Sequence, residues 1–388
     1  MLDGGTRSAF RRVRVTRAMH ARGKTAIRPS GRFGPWRDET IFVTGHSGFI
    51  GAWLCTMLRM SGAHVVGFSL SEDSASATRA DWLETLSVPA VQEDVRDFDA
   101  LVAAIETTQP DVVVHLAAQA LLGPGYQEPR HTFDVNVNGS LNVLEAVRRT
   151  GTPALVHVTS DKCYAPAALA AGAVAEDAPL GGTGPYPASK TMAEILFREY
   201  AELGRRGSSE TRMSSLRLGN VIGGGDEADR LVPNCLRAFE SGRPFAARDP
   251  MALRPWQHVM DVATGMCLLA QALLEGRIPS GLSLNFAPPV CNLTVGDLVN
   301  DLAASWGPHA HISQQRATCA FPEEPVLRLD GSYASALLGW QHRVESAALA
   351  DVTVAWGRLV AQGLSPAQAT ATQLRSYQQE MLATATAS

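Results

Sequence analysis

The chain has 388 residues, 45% hydrophobic and 19% charged, with a formal charge of −4. That suits one large or two closely joined globular domains, and no apolar run is long enough to cross a bilayer. The six cysteines are scattered without a C-x-x-C pair, which argues against a disulfide framework or a metal site and for reduced thiols in a cytoplasmic protein. The charge is uneven. Residues 1–38 hold ten Lys/Arg against two Asp/Glu, whereas the other 350 residues hold 24 against 36. This leader has no apolar segment of the kind a secretory signal needs. It lacks the periodicity to pack, so the expectation is a disordered extension, or a start placed too early with Met19 as one possible true start. The acidic body argues against nucleic acid as a partner.

Residues 40–43 read as a strand and 52–61 as a helix, joined by Thr44-Gly45-His46-Ser47-Gly48-Phe49-Ile50-Gly51. Strand, glycine turn and helix start follow in the order a dinucleotide site requires. A diphosphate needs backbone N–H groups at a helix N-terminus and no side chains in the way. Gly45 permits the turn, Gly48 the approach of the diphosphate, and Gly51 the close packing of helix on strand. A second strand, 64–68, ends Gly67-Phe68-Ser69-Leu70, with no acid for the ribose hydroxyls and no Arg or Lys for a 2′-phosphate.

A helix at 100–107, a β-branched strand at 111–116, a long helix at 132–149, a strand at 154–158 and a long helix at 188–203 continue the alternation. This pattern predicts an α/β fold, a Rossmann-type doubly wound parallel sheet over 39–220. From 221 to 375 the sequence is richer in Gly and Pro and reads as a smaller, loop-rich C-terminal substrate lobe, its chain interleaved with the first domain. Residues 376–388 are polar and Ala/Thr-rich and read as a flexible tail.

Tyr186 and Lys190, in Tyr-Pro-Ala-Ser-Lys, share one helix face at i, i+4. A free tyrosine is a poor base at neutral pH, and an ammonium one turn away stabilises its phenolate. The strand before them ends Thr159-Ser160-Asp161-Lys162-Cys163-Tyr164. Side chains alternate along a strand, so Ser160, Asp161 and Lys162 reach one site only if the strand ends and twists there. Among the histidines there is no H-E-x-x-H. His115, on an apolar strand, reads as structural. His258 beside Trp256 and Gln257 either lines a ligand site or packs in the core. Gly223-Gly224-Gly225 reads as a loop, and Arg254 as a diphosphate partner.

Together these residues resemble the extended short-chain dehydrogenase/reductases: Thr-Gly-x-x-Gly-x-x-Gly, Asp94-Val95-Arg96-Asp97, His115-Leu116-Ala117-Ala118-Gln119 and Tyr-x-x-x-Lys. Within that superfamily the chain is most similar to the CDP-glucose 4,6-dehydratases, through Thr-Gly-His-Ser-Gly-Phe (44–49), Thr-Ser-Asp-Lys-Cys-Tyr (159–164), Pro-Leu-Gly-Gly (179–182), Gly-Asn-Val-Ile-Gly-Gly-Gly-Asp (219–226), Asp-Arg-Leu-Val-Pro (229–233) and Arg-Pro-Trp-Gln-His-Val (254–259). In dTDP-glucose dehydratases the trio at 160–162 is Thr-Asp-Glu, which favours the CDP branch here.

The resemblance implies NAD as cofactor, held by Gly45, Ser47, Gly48, Phe49, Ile50 and Gly51, by Asp94, Val95, Leu116, Ala117 and Ala118, and by Tyr186 and Lys190. It implies a nucleotide-sugar substrate, CDP-glucose, bound by Gln119, Asn220, Arg230, Arg254 and His258. Catalysis is implied for Ser160, Asp161, Lys162, Tyr186 and Lys190, with Lys162 as the C5 base and Asp161 as the acid. A nucleotide-sugar epimerase or 4-ketoreductase on the same fold is the alternative. A homodimer is expected through the helices at 132–149 and 188–203. Two departures stand out. Residues 165–175 are nearly all alanine and other small residues where the family has an aromatic and charged segment, and this stretch borders the sugar pocket. Met260-Asp261-Val262 reads more like other extended reductases.

Overall fold

The computed structural model describes residues 36, 38–70, 77–289, 292–315, 317, 321 and 324–385. The basic leader lies outside them except for Trp36, which is buried, and Asp38. The strands are β1 (Thr40–Thr44), β2 (His64–Ser69), β3 (Ala90–Gln92), β4 (Val112–His115), β5 (Ala154–Ser160), β6 (Arg212–Leu218), β7 (Val221–Ile222), β8 (Gln257–His258) and β9 (Leu282–Phe286). Seven of them form one parallel sheet in the order β3-β2-β1-β4-β5-β6-β9, and β7 pairs with β8.

The central strands are near-continuous apolar runs because both faces of the sheet are covered. Side-chain alternation divides them between two cores. Ile41, Val43, Val112, Val114 and Val156 face helices Phe49–Met60 and Val259–Leu274. Phe42, Val113 and Leu155 face helices Phe98–Thr108, Gly139–Thr150 and Pro185–Leu203. Strand order reverses between β1 and β4, so a crevice opens beyond their carboxyl ends, where open α/β sheets bind ligands.

Several elements differ from the sequence expectation. The helix expected at 132–149 begins at Pro129 and widens into one looser turn, Asp134–Asn138, before Gly139–Thr150. Beyond residue 220 the chain is more helical than its Gly and Pro content suggests. Leu231–Glu240, Val295–Trp306 and Leu349–Ala361 are helices, and Pro233 sits in a first turn, where no helical N–H is lost. The chain also re-enters the sheet: β9 pairs with β6, and Val259–Leu274 packs beneath. The stretch expected as a flexible tail from 376 is instead part of helix Pro366–Ala385. Ala367, Ala369, Thr370, Ala371, Gln373, Leu374, Tyr377 and Gln378 are buried and give it a broad inward face. Tyr377 donates its hydroxyl to Asp261 Oδ1 at 2.6 Å, and the same carboxylate accepts the Arg343 and Val344 N–H groups.

One buried carboxylate ties the long helix to three strands. Glu194, in Pro185–Leu203, is fully buried. Its Oε2 accepts Arg217 Nε and Nη2 from β6 at 2.9 and 2.7 Å, with the hydroxyls of Ser215 and of Ser283 on β9 at 3.2 and 3.1 Å. Its Oε1 accepts Thr159 Oγ1 of β5 at 2.6 Å. Burial pushes the Glu194 pKa up, but the Arg217 charge and these hydrogen bonds hold it below the ordinary value. Arg217 Nη1 continues to the Tyr164 hydroxyl at 2.7 Å and the Glu176 carbonyl at 2.8 Å. Tyr164 in turn donates to Asn285 Oδ1 at 2.7 Å.

Removing one partner of such a pair strands the other charge. Glu194→Gln should therefore destabilise the fold by about 3–5 kcal/mol, read as a lowered urea midpoint at pH 7. A midpoint unchanged within error would show the pair to be dispensable.

Burial also keeps five histidines neutral, among them His115, whose pKa it lowers well below the ordinary value. It lowers His46, His157 and His342 to about 4 and His258 to about 3. His157 stacks on Phe197, and neither ring nitrogen has a hydrogen-bond partner among the described residues. In the unfolded chain these rings titrate near 6.5. Their contribution is therefore whole above pH 6.5 and is lost as pH falls toward about 4, at about 1.4 kcal/mol per pH unit for each ring. His157→Leu should flatten the fall in unfolding free energy between pH 6.5 and 4.5 by about one ring's share. Parallel pH profiles for the two proteins would contradict this.

Candidate active site

The glycine turn after β1 has the shape its sequence requires. Gly45 has φ +71°, and a Cβ on it would stand 2.7 Å from the Ala117 nitrogen, so the turns after β1 and β4 touch backbone to backbone. A Cβ on Gly51 would stand 2.4 Å from the Gly45 carbonyl oxygen. Gly48 caps helix Phe49–Met60 without a side-chain bond, leaving its N-terminal N–H groups open to a ligand. Ser47 donates its hydroxyl to Ser69 Oγ at 2.9 Å. Ser69 ends β2, where a ribose carboxylate would ordinarily stand. Phe49 is buried, and Ile50, Leu116, Ala117 and Ala118 are half-buried. These features fit a dinucleotide: an open helix N-terminus, and a floor that any side chain would obstruct.

Asp94 and Val95 follow β3, the edge strand on the β2 side of the sheet. Arg96 pairs with Asp94 at 2.7 Å and with Asp134 at 3.1 Å. Asn142 Nδ2 holds the Val95 and Arg96 carbonyls at 2.9 and 3.0 Å. The Asp94 pKa, pushed up by partial burial, is drawn below its ordinary value by the Arg96 hydrogen bonds and charge.

The strand break expected at Ser160 is present. β5 ends there, and Asp161–Cys163 form a single helical turn capped by the Ser160 hydroxyl. That hydroxyl donates to Asp161 Oδ1 at 2.9 Å and accepts the Lys162 N–H at 3.3 Å. It also stands near enough to Tyr186 to lower that phenol's pKa. Asp161 is buried and its Oδ2 has no partner among the described residues. Burial raises its pKa, against the opposing effects of Lys162, Ser160 and Arg254. The turn thus brings Ser160, Asp161 and Lys162 together beside Tyr186.

Lys190 Nζ donates to the Val158 carbonyl at 3.4 Å, and burial lowers its pKa to about 8. The expected lowering of the Tyr186 pKa is reversed. Burial raises it and the Asp161 charge adds to that, outweighing the Ser160 hydrogen bond and the Arg230 charge.

Of the expected substrate residues, Arg254 and Arg230 come within electrostatic reach of Asp161 and Tyr186 respectively. Arg254 is buried and donates to the Leu253 carbonyl at 2.9 Å. Arg230 lies 3.4 Å from Asp226. The Asn220 carbonyl accepts the Gln257 N–H, joining β7 to β8. Gln119 does not present its amide to a ligand: Nε2 donates to the Leu121 carbonyl and Thr132 Oγ1, and Oε1 accepts the Leu121 N–H. Its polar groups are used in shaping the loop. His258 does not line the site either. It is fully buried, caps helix Val259–Leu274 and meets Trp53 edge to face at 5.8 Å. His115 is structural, bonded to Thr44 Oγ1 at 2.7 Å and Ser140 Oγ at 3.3 Å.

Three features escaped the sequence reading. Asn136, in the widened helical turn, accepts the Gln119 N–H and donates to the Gln119 carbonyl and Ser189 Oγ, so it links the turn after β4 to the Tyr186–Lys190 helix. An asparagine inside a long helix was its one local signal. The triple glycine is a packing site for indoles: a Cβ on Gly224 would stand 2.1 Å from Trp356, and the Gly224 carbonyl accepts Trp53 Nε1 at 2.9 Å. Glu324 lines a small cavity together with Lys162.

Comparison with known proteins agrees with this geometry. The model of the NAD dependent epimerase/dehydratase family matches residues 41–282. CDP-glucose 4,6-dehydratase of Salmonella typhimurium is 36% identical over 323 residues, covering 79% of this chain and 87% of the relative. UDP-glucose 4-epimerase of Neisseria meningitidis serogroup A is 28% identical over 342 residues, 82% and 97% of the two chains. Among solved structures, the Thermus thermophilus UDP-glucose 4-epimerase complex with NAD superimposes with TM-score 0.69 at 26% identity, covering 81% of this chain and 97% of that one. The Stenotrophomonas maltophila UDP-glucose-4-epimerase with bound NAD, at 24% identity and TM-score 0.72 over 84% and 100%, shares the fold. With its glycine turn at the β1/β4 crevice and its Tyr186–Lys190 helix, the chain is an enzyme of the NAD dependent epimerase/dehydratase family.

Proposed function

We propose that the chain is a nucleotide-sugar 4,6-dehydratase converting CDP-glucose to CDP-4-keto-6-deoxyglucose. The observation that carries this reading is the turn Ser160-Asp161-Lys162, in which a buried acid with a raised pKa stands next to a lysine that lines a small cavity. The 36% identical dehydratase supports the same activity. An epimerase or ketoreductase needs the Ser160, Tyr186 and Lys190 groups but has no use for a paired acid and base at 161 and 162.

The N–H groups around Gly48–Ile50 would hold the cofactor diphosphate, Asp94 and Val95 its adenine side, and Lys190 a ribose hydroxyl. NAD bound there supplies the two-electron acceptor for C4 and donor for C6. Tyr186 takes the proton of the 4-hydroxyl, assisted by Ser160. The resulting ketone makes the C5 proton acidic. Lys162 removes that proton, and Asp161 protonates the departing 6-hydroxyl as water. Burial raises the Asp161 pKa and so favours the protonated form that an acid needs. Arg254 is suited to the substrate diphosphate.

Solvent deuterium reads out this step. In D₂O the product should carry deuterium at C5, with the original C4 hydrogen moved to C6. Lys162→Ala should slow water loss by about 10²–10⁴-fold while oxidation at C4 persists. Dehydration at the wild-type rate in that variant would remove Lys162 from the mechanism and favour the epimerase or ketoreductase.

The surface supports a homodimer. Leu141 on helix Gly139–Thr150 and Met192, Ile195 and Leu203 on Pro185–Leu203 are between 36% and 45% exposed. These helices lie side by side, joined by the Tyr200 hydroxyl on Glu145 at 3.2 Å. Pairing the same face across a two-fold axis covers all four side chains. Among the described residues no helix is long and apolar enough to cross a membrane. The scattered cysteines suit a reducing, cytoplasmic location. Light scattering at micromolar concentration should give twice the 41.4 kDa chain mass, and a monomer mass would refute the dimer.

A further inference from the structure

The cavity beside the Asp161–Cys163 turn has features that the reaction alone does not require. It holds about 30 Å³ and is lined by Lys162 and Glu324, with Leu122, Pro166, Leu169 and Pro187 among its apolar walls. Room for one or two waters matches a hydroxymethyl or methyl substituent. Pro166 and Leu169 come from the stretch 165–175, which forms the short helix Pro166–Ala171, with Leu169 buried. Glu324 comes from the opposite side, on the segment whose next residues pair with the loop at 253: Leu253 N–H bonds the Pro325 carbonyl, and Leu327 N–H the Leu253 carbonyl.

We infer that Glu324 is a specificity-determining residue that selects hexoses with an uncharged C6 over hexuronates. This rests on the nucleotide-sugar reading of the same site. A small cavity lined by one lysine and one carboxylate sums to zero charge, whichever of the two carries the proton. It therefore accepts a neutral C6 group, whereas a C6 carboxylate adds one negative charge that the cavity's own lysine and carboxylate do not compensate. Such a charge is costly to desolvate. Without the Glu324 charge the cavity carries the lysine alone and becomes suited to an anion. The inference does not depend on Lys162 acting as the C5 base, because the charge sum is unaffected by where the proton sits.

The test is calorimetric binding to the full chain loaded with NADH, which cannot accept the C4 hydride, so that no probe is turned over. The probes are two matched pairs: CDP-glucose with CDP-glucuronic acid, the latter made by oxidising the primary hydroxyl, and UDP-glucose with UDP-glucuronic acid. Within each pair the nucleotide is constant, so the ratio of affinities reports C6 alone. Wild type should prefer the glucose compound by about tenfold or more. Glu324→Gln should cut that ratio to near one or invert it, and Glu324→Asp, which keeps the charge, should retain it. The inference is overturned if folded Glu324→Gln keeps the wild-type ratio, or if wild type binds the glucuronate as well as the glucose compound. Failure of the dehydratase reading would show instead as absent water loss, and would leave these ratios as they are.

Discussion

The buried Glu194–Arg217 pair is the constraint around which the catalytic half of the molecule is arranged. Glu194 lies one helical turn beyond Lys190, and its carboxylate accepts from β5, β6 and β9 at once. The helix carrying Tyr186 and Lys190 cannot rotate or slide along the sheet without breaking several charge-assisted hydrogen bonds in a dry interior. Arg217 then extends the same network to Tyr164, which immediately follows the catalytic turn, and through Tyr164 to Asn285. A buried ion pair is weak evidence for net stability. Its consequence here is positional: it fixes Ser160, at the end of β5, opposite Tyr186 on the helix.

A close backbone approach and the Asn136 side chain join the glycine turn to the Tyr186–Lys190 helix. Gly45 brings the β1 turn against Ala117, and Asn136 holds the following loop to Ser189, between Tyr186 and Lys190 in sequence. The widened helical turn that carries Asn136 belongs to a class of distortion frequent at functional sites. Trp53, on the helix that begins at the glycine turn, reaches across to the Gly224 carbonyl and so ties that helix to the loop leading to Arg230. The residues flanking the proposed substrate are thus anchored to the same helix whose N-terminus fits the diphosphate.

Electrostatics in the site are set mainly by burial. It raises Asp161 and Tyr186 and lowers Lys190 to about 8. Asp161 is thereby suited to donate a proton. Tyr186 is not a ready phenolate in the protein by itself, and Lys190, drawn to the Val158 carbonyl, does not offset its burial. The Tyr-x-x-x-Lys spacing places the two groups on one face but does not set the sign of the shift, which depends on what else is excluded from water.

The sequence by itself determined the α/β alternation, the central strands, the glycine turn and the two segments proposed to be catalytic. Each of these is written in local signals: runs of β-branched residues, glycines at fixed spacing, and an i, i+4 pair on one helix. The family-specific motifs added the chemistry. The sequence did not determine the roles of residues whose environment is assembled from distant segments. His258 and Gln119 looked like ligand contacts from their neighbours in sequence, yet one is enclosed by Trp53 and the core and the other is used in shaping its own loop. The stretch after 376 looked mobile because it is polar and Ala/Thr-rich, and it is helix because helix Pro366–Ala385 packs on helices Phe49–Met60 and Leu349–Ala361 and Tyr377 bonds Asp261. Glu324, some 160 residues from Lys162, had no signal at all. Hydrogen-bond partners, burial and the resulting pKa shifts are properties of contacts between segments, so the tertiary structure alone decided them.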